Sequence, residues 1–128
     1  MAFGDLFLED VREYREKFMD KTDLTPMFPI WDEPTDNLAK DMIDAGLRAK
    51  ITCMDPKKID REFAGREFNR DFLEALPDKI DPCGEYGEFH TFTWDGPMFN
   101  QAIQIQSGET VEREGFVFTD ILPKLEGV

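Results

Sequence analysis

Residues Asp81 to Pro97 read DPCGEYGEFHTFTWDGP, and they mark the point where helix-like spacing gives way to strand-like alternation. Within them, Gly84 to His90 hold two glycines, two glutamates and the only histidine of the chain. Core packing does not call for that composition. Gly84 and Gly87 allow positive φ, so the backbone can fold tightly and bring Glu85 and Glu88 toward one point. Two converging carboxylates repel unless a metal, an ammonium or a substrate amine lies between them, and His90 could pass a proton near neutral pH. The bland alternative is an ornate turn whose glutamates point to water.

Upstream of this stretch the chain alternates two periods. Phe7, Val11, Tyr14 and Phe18 recur at helical spacing from Asp5 onward, predicting an amphipathic first helix that Asp5 could cap. Thr25 to Trp31, TPMFPIW, suits a brief strand. A second helix follows, opened by Pro34 and stopped by Gly46, with Leu38, Met42 and Ile43 on its apolar face. Leu47 to Met54 alternates with period two, with Leu47, Ala49, Ile51 and Cys53 on one face of a strand. Asp55-Pro56 opens a short helix closed by Gly65, and Asn69 caps another that runs through Leu76 to Pro77.

Downstream, FHTFTW, AIQIQ and ETVEREGFVFTD alternate as strands, with breaks at Asp95-Gly96-Pro97 and Ser107-Gly108. The order implies an α/β body over residues 1–80 and a small antiparallel β extension over 81–128, forming one compact unit.

At 128 residues the chain suits one domain, and 41% hydrophobic residues, including 12 Phe, are enough for a core. A formal net charge of -13 disfavours nucleic acid and anionic membrane surfaces as partners. No apolar run approaches the ~20 residues that span a bilayer, and the first residues carry no basic leader, so a cytoplasmic location is expected. Cys53 and Cys83 lack a C-x-x-C partner, which makes free thiols the default and leaves a disulfide between them open.

The stretch from Asp81 also resembles the signature of the diphthine-ammonia ligase family, within the adenine nucleotide alpha-hydrolase (PP-loop ATP pyrophosphatase) superfamily: Cys-Gly-Glu-x-Gly-Glu-Phe-His-Thr followed by Asp-Gly-Pro. FGDLFLEDVREYRE, MFPIW, PTDNLA, AGLRAKITCMD, GREFNRDFLEALP and GFVFTDIL resemble further family segments in order, so the likeness covers nearly the whole chain. It implies a Rossmann-like three-layer α/β sheet and an enzyme that activates a carboxylate with ATP and Mg2+, releasing pyrophosphate before ammonia attacks. By the same resemblance, Gly4 and Asp5 face the nucleotide, Glu85, Glu88 and His90 are catalytic, and Gly84, Gly87 and Thr91 line the acceptor or ammonia site. Tyr86 departs from the Asn or Gly frequent there.

No Gly-Gly-Lys phosphate loop occurs in the 128 residues. The chain is therefore expected to carry the C-terminal part of such a ligase, to be inactive alone, and to form a homo-oligomer or to complement a missing N-terminal half. Two other readings stand beside it: a non-catalytic binding or oligomerisation module that keeps the fold, and a divalent-metal protein with Glu85, Glu88 and His90 as ligands. A Glu88→Gln change is expected to leave folding nearly intact.

Overall fold

The computed structural model describes residues 1–124. Its elements in chain order are helix α1 (Glu9–Met19), helix α2 (Thr35–Asp44), strand β1 (Arg48–Met54), a 3-10 turn (Arg61–Phe63), helix α3 (Arg70–Ala75), and strands β2 (Phe89–Asp95), β3 (Ile105–Arg113) and β4 (Phe116–Pro123). The chain is α/β as the sequence implies. Its four strands form one sheet in the order β2-β1-β4-β3, with every neighbouring pair antiparallel. β1 carries β2 on one side and β4 on the other, so one sheet draws its strands from both sides of residue 80.

One parallel contact exists among the described residues, a bridge between Ala2 and Met27 secured by the Phe3 amide donating to the Met27 carbonyl and the Met27 amide to that of Met1. The arrangement is consistent with a partial Rossmann-like domain. The strand predicted over Thr25–Trp31 shrinks to this bridge, because Pro26 and Pro29 cannot donate to a ladder and residues 29–32 turn away.

The core is aromatic. Phe72, fully buried on α3, meets Phe63 edge-on at 5.6 Å, Phe89 at 5.3 Å and Phe68 at 5.6 Å between ring centroids. Ala39 of α2, Ala49 and Ile51 of β1, Ile59, Ile80 and Val117 close around them. Short helices reach this core because their starts are well signalled: Asn69 Oδ1 accepts from the Phe72 amide at 2.9 Å, as the sequence predicts, and Asp60 does the same for the 3-10 turn. The helix expected after Asp55-Pro56 is one turn plus that 3-10 segment. Gly65 ends it at φ +74, packed against the Thr119 side chain.

Three further expectations are corrected. The first helix starts at Glu9, with Leu8 at the cap position and no side-chain cap bond, and its Tyr14 and Phe18 are exposed while Met19 is buried. In β1, a register shift between Ile51 and Cys53 moves the buried face from Cys53 to Met54, since a bulge adds one residue to the period of two. The break expected at Ser107-Gly108 is instead an irregularity inside β3, and the real turn falls inside the predicted last strand. Glu114 and Gly115 both take positive φ, 53° and 85°, the combination that folds a two-residue hairpin. AIQIQ is strand only from Ile105.

Replacing Phe72 by Ala should cost about 3–5 kcal/mol, because three rings lose their common partner and the helix around it is too short to collapse into the space. Chemical denaturation with an unchanged urea slope would check it.

Candidate functional site

The loop before β2 is assembled around two of its own carboxylates. Asp81 Oδ2 accepts from the amides of Cys83 and Glu85 at 3.2 and 3.0 Å, the Asx geometry in which an aspartate caps the residues that follow it. Glu88, only 3% exposed, accepts from the Asp81 amide at 2.8 Å through Oε2 and from the Tyr86 amide at 2.7 Å through Oε1. Gly84 must be glycine here: its φ is +65, and a Cβ would stand 2.8 Å from the Phe89 carbonyl oxygen. Lys58 Nζ donates to the Tyr86 carbonyl at 2.8 Å and holds the tip from outside.

These bonds turn Glu85 toward the N-terminal segment. Its Oε1 accepts from the Leu6 amide at 3.3 Å, and the rings of Phe7 and Tyr86 meet at 5.1 Å, so two regions about eighty residues apart in sequence are clasped together. Beside the clasp opens a cleft of about 440 Å³, lined by Asp5, Leu8, Val11, Arg15, Cys83, Gly84, Glu85, Gly87, Phe89, His90 and Thr91. Of the eight residues singled out from sequence, Asp5, Gly84, Glu85, Gly87, His90 and Thr91 line it. Glu88 does not, since its oxygens are occupied by the loop, and neither does Gly4, the neighbour of Asp5 in the chain.

Asp5 does not cap α1. It is nearly buried, and its Oδ2 accepts from Arg15 Nε at 3.1 Å. Arg15 in turn lies over the Phe3 ring, 4.9 Å from its centroid. Reading from sequence overlooked Arg15, although Leu8, Val11 and Arg15 fall at i, i+3 and i+7, one face of a helix. It also overlooked Asp81, whose place two residues before Cys83 is the signal for an Asx turn.

The surroundings of Glu85 make it a stronger proton acceptor than an ordinary carboxylate. Burial pushes its carboxyl above the usual range, the Leu6 amide partly opposes this, and the charges of Asp5, Asp81 and Glu88 push it further up. The Cys83 thiol is driven to about 12 by burial and by Asp81 and Glu85, and its Sγ lies 3.6 Å from the Thr35 carbonyl oxygen. Cys83 and Cys53 are both free thiols. Glu85, Glu88 and His90 are not brought together as metal ligands, and among the described residues no group of three or more His, Cys, Asp or Glu could hold a metal ion. No helix among the described residues is long and apolar enough to cross a membrane.

Comparison with known proteins places this geometry in a family. Residues 34–123 match the family model of the diphthamide synthase C-terminal domain, and the chain belongs to that family. Curated relatives include the diphthine-ammonia ligase of Homo sapiens, 28% identical over 120 residues, covering 89% of this chain and 45% of the relative. That of Danio rerio is 30% identical over 123 residues, covering 89% and 47%, and that of Schizosaccharomyces pombe is 31% identical over 87 residues, covering 65% and 14%. The chain thus spans less than half the length of the curated relatives it matches.

Two outcomes follow from the site. Glu88→Gln should destabilise the fold by about 1–3 kcal/mol, contrary to the expectation from sequence, because an amide nitrogen would face a backbone N–H that now meets an oxygen; equilibrium unfolding measures it. Glu85, with its folded value raised above 4.5, contributes stability that is present at low pH and lost as pH rises through the folded value. The stability of Glu85→Gln relative to the parent should therefore be greater at pH 7 than at pH 4, read by thermal unfolding across that range.

Proposed function

We propose that this chain is the acceptor and ammonia side of an ATP-dependent amide ligase of the diphthine-ammonia ligase type, active only when joined to a part that holds the nucleotide. The observation carrying it is the clasp between Leu6 and Glu85, beside which Asp5 and the motif loop line one cleft. Glu85 Oε2 has no partner among the described residues, so one oxygen is held while the other is open to accept a proton from ammonium or from the attacking nitrogen. A carboxyl raised by burial takes that proton more readily than an ordinary one. His90, exposed on β2 at the cleft wall, can relay it to solvent; the Thr91 hydroxyl can orient the acceptor, while Gly84 and Gly87, whose amides bond within the loop, shape the wall. Glu88 contributes by fixing the loop.

The residues present do not by themselves make a cradle for Mg-ATP. Asp5 is already committed to Arg15, and the sequence holds no Gly-Gly-Lys loop. ATP, where it is bound, would supply the adenylate that activates the carboxylate. Diphthamide formation is the biosynthetic setting that the relatives' names suggest, and a cytoplasmic location suits it.

A second reading, an assembly module without catalysis, draws on one observation. Tyr14, Phe18 and Met27 leave an apolar surface beside the lone parallel bridge, a surface suited to a homo-oligomeric contact or to a complementary half-domain.

The readings separate in a chimera that places this chain after the N-terminal part of the Danio rerio relative. Ammonium-dependent pyrophosphate release should appear in the chimera and not in the isolated chain, and Glu85→Gln should lower kcat by ~100-fold or more while sparing the KM for ATP. Release that is indifferent to Glu85 would leave the assembly reading.

A further inference from the structure

We propose that Arg15 is a positioning residue for Glu85: it grips the Asp5 carboxylate, keeps the adjoining Leu6 amide aimed at Glu85, and offsets the one nearby acidic charge that the loop does not fix. The inference rests on the reading of Glu85 as the proton acceptor.

The chain of contacts is continuous. The Arg15 guanidinium is held between the Phe3 ring and Asp5 Oδ2, and the residue after Asp5 donates to Glu85 Oε1. Three carboxylates act on Glu85, namely Asp5, Asp81 and Glu88. Asp81 and Glu88 each accept two backbone N–H groups of the loop. Asp5 accepts from Arg15 alone among the described residues. The remaining titratable groups on the cleft walls are the Cys83 thiol and the His90 imidazole, and Arg15 is the only permanent cation there. Charge and orientation at Glu85 therefore share one adjustable link.

Removing Arg15 leaves a nearly buried carboxylate without its counter-charge, which favours a neutral Glu85. Removing the Asp5 charge has the opposite effect. General loosening of the fold would instead expose Glu85 in both variants and lower its titration midpoint in both, so the pair of signs separates positioning from a merely structural role.

The test is carbon-13 NMR titration of the Glu85 carboxyl in the whole 128-residue chain. Arg15→Gln should raise the midpoint by ~0.5 unit or more, about threefold in proton affinity, and shift the Leu6 amide resonance; Asp5→Asn should lower the midpoint; Arg15→Lys, which keeps the charge, should stay near the parent. A Glu85 midpoint unmoved or lowered in Arg15→Gln overturns the inference. Should that variant fail to fold, a midpoint in Asp5→Asn that is unmoved, raised, or lowered together with displaced amide resonances of the Asp81–Glu88 loop overturns it, and one lowered with those resonances at their parent positions sustains it, since loosening would move both. Pyrophosphate release in the chimera judges the ligase reading separately, since a midpoint that moves as expected with no release would sink that reading alone.

Discussion

Four backbone N–H groups bound by two carboxylates hold the site together. Asp81 and Glu88 close the loop from its two ends, and the direction in which Glu85 leaves the backbone follows from that closure. Charged acceptors make stronger bonds to amides than neutral ones, and burying Glu88 raises the cost of leaving either oxygen unmatched. The loop is thus rigid for a segment without regular structure. Its rigidity passes to β2, which begins at Phe89 on the core cluster and presents His90 and Thr91 to the cleft.

The same closure explains how a site can form between segments that are distant in the chain. Residues 1–8 contain no helix or strand of the main sheet; they are held by the Met27 bridge, the buried Leu6, the Arg15 ion pair and the Glu85 bond. Each contact is modest, and together they set one wall of the cleft. The α1 surface that bears Tyr14 and Phe18 borders Met1 and Phe3 of this segment and is left largely to solvent. The molecule is well tied on the side of the motif and sparsely covered on the other.

Much of this was legible from residues alone, where a local rule and the tertiary structure agree. The Asn69 cap, the Gly46 stop and the strand leading from the motif obey local chemistry that packing does not override. What escaped was of two kinds. Glu114-Gly115 lies inside ETVEREGFVFTD, where strand-forming residues on both sides read as one strand and the hairpin shows only through Gly115, and the bulge in β1 leaves no mark in the composition. The role of Glu88 escaped for another reason. Glu85 and Glu88 look equivalent in a Gly-Glu-x-Gly-Glu pattern, and only folding reveals that one is turned inward to the backbone while the other keeps an open oxygen. The family, by contrast, was readable from the motif, because a spaced set of glycines and acids is far rarer than an apolar period.

Cys83 decides what kind of sulfur the cleft presents to an electrophile. Burial first, and the charges of Asp81 and Glu85 after it, push the thiol up to about 12 and disfavour the nucleophilic thiolate. Packed against the core cluster and half-buried, Cys83 serves the cleft as a wall group and not as a nucleophile.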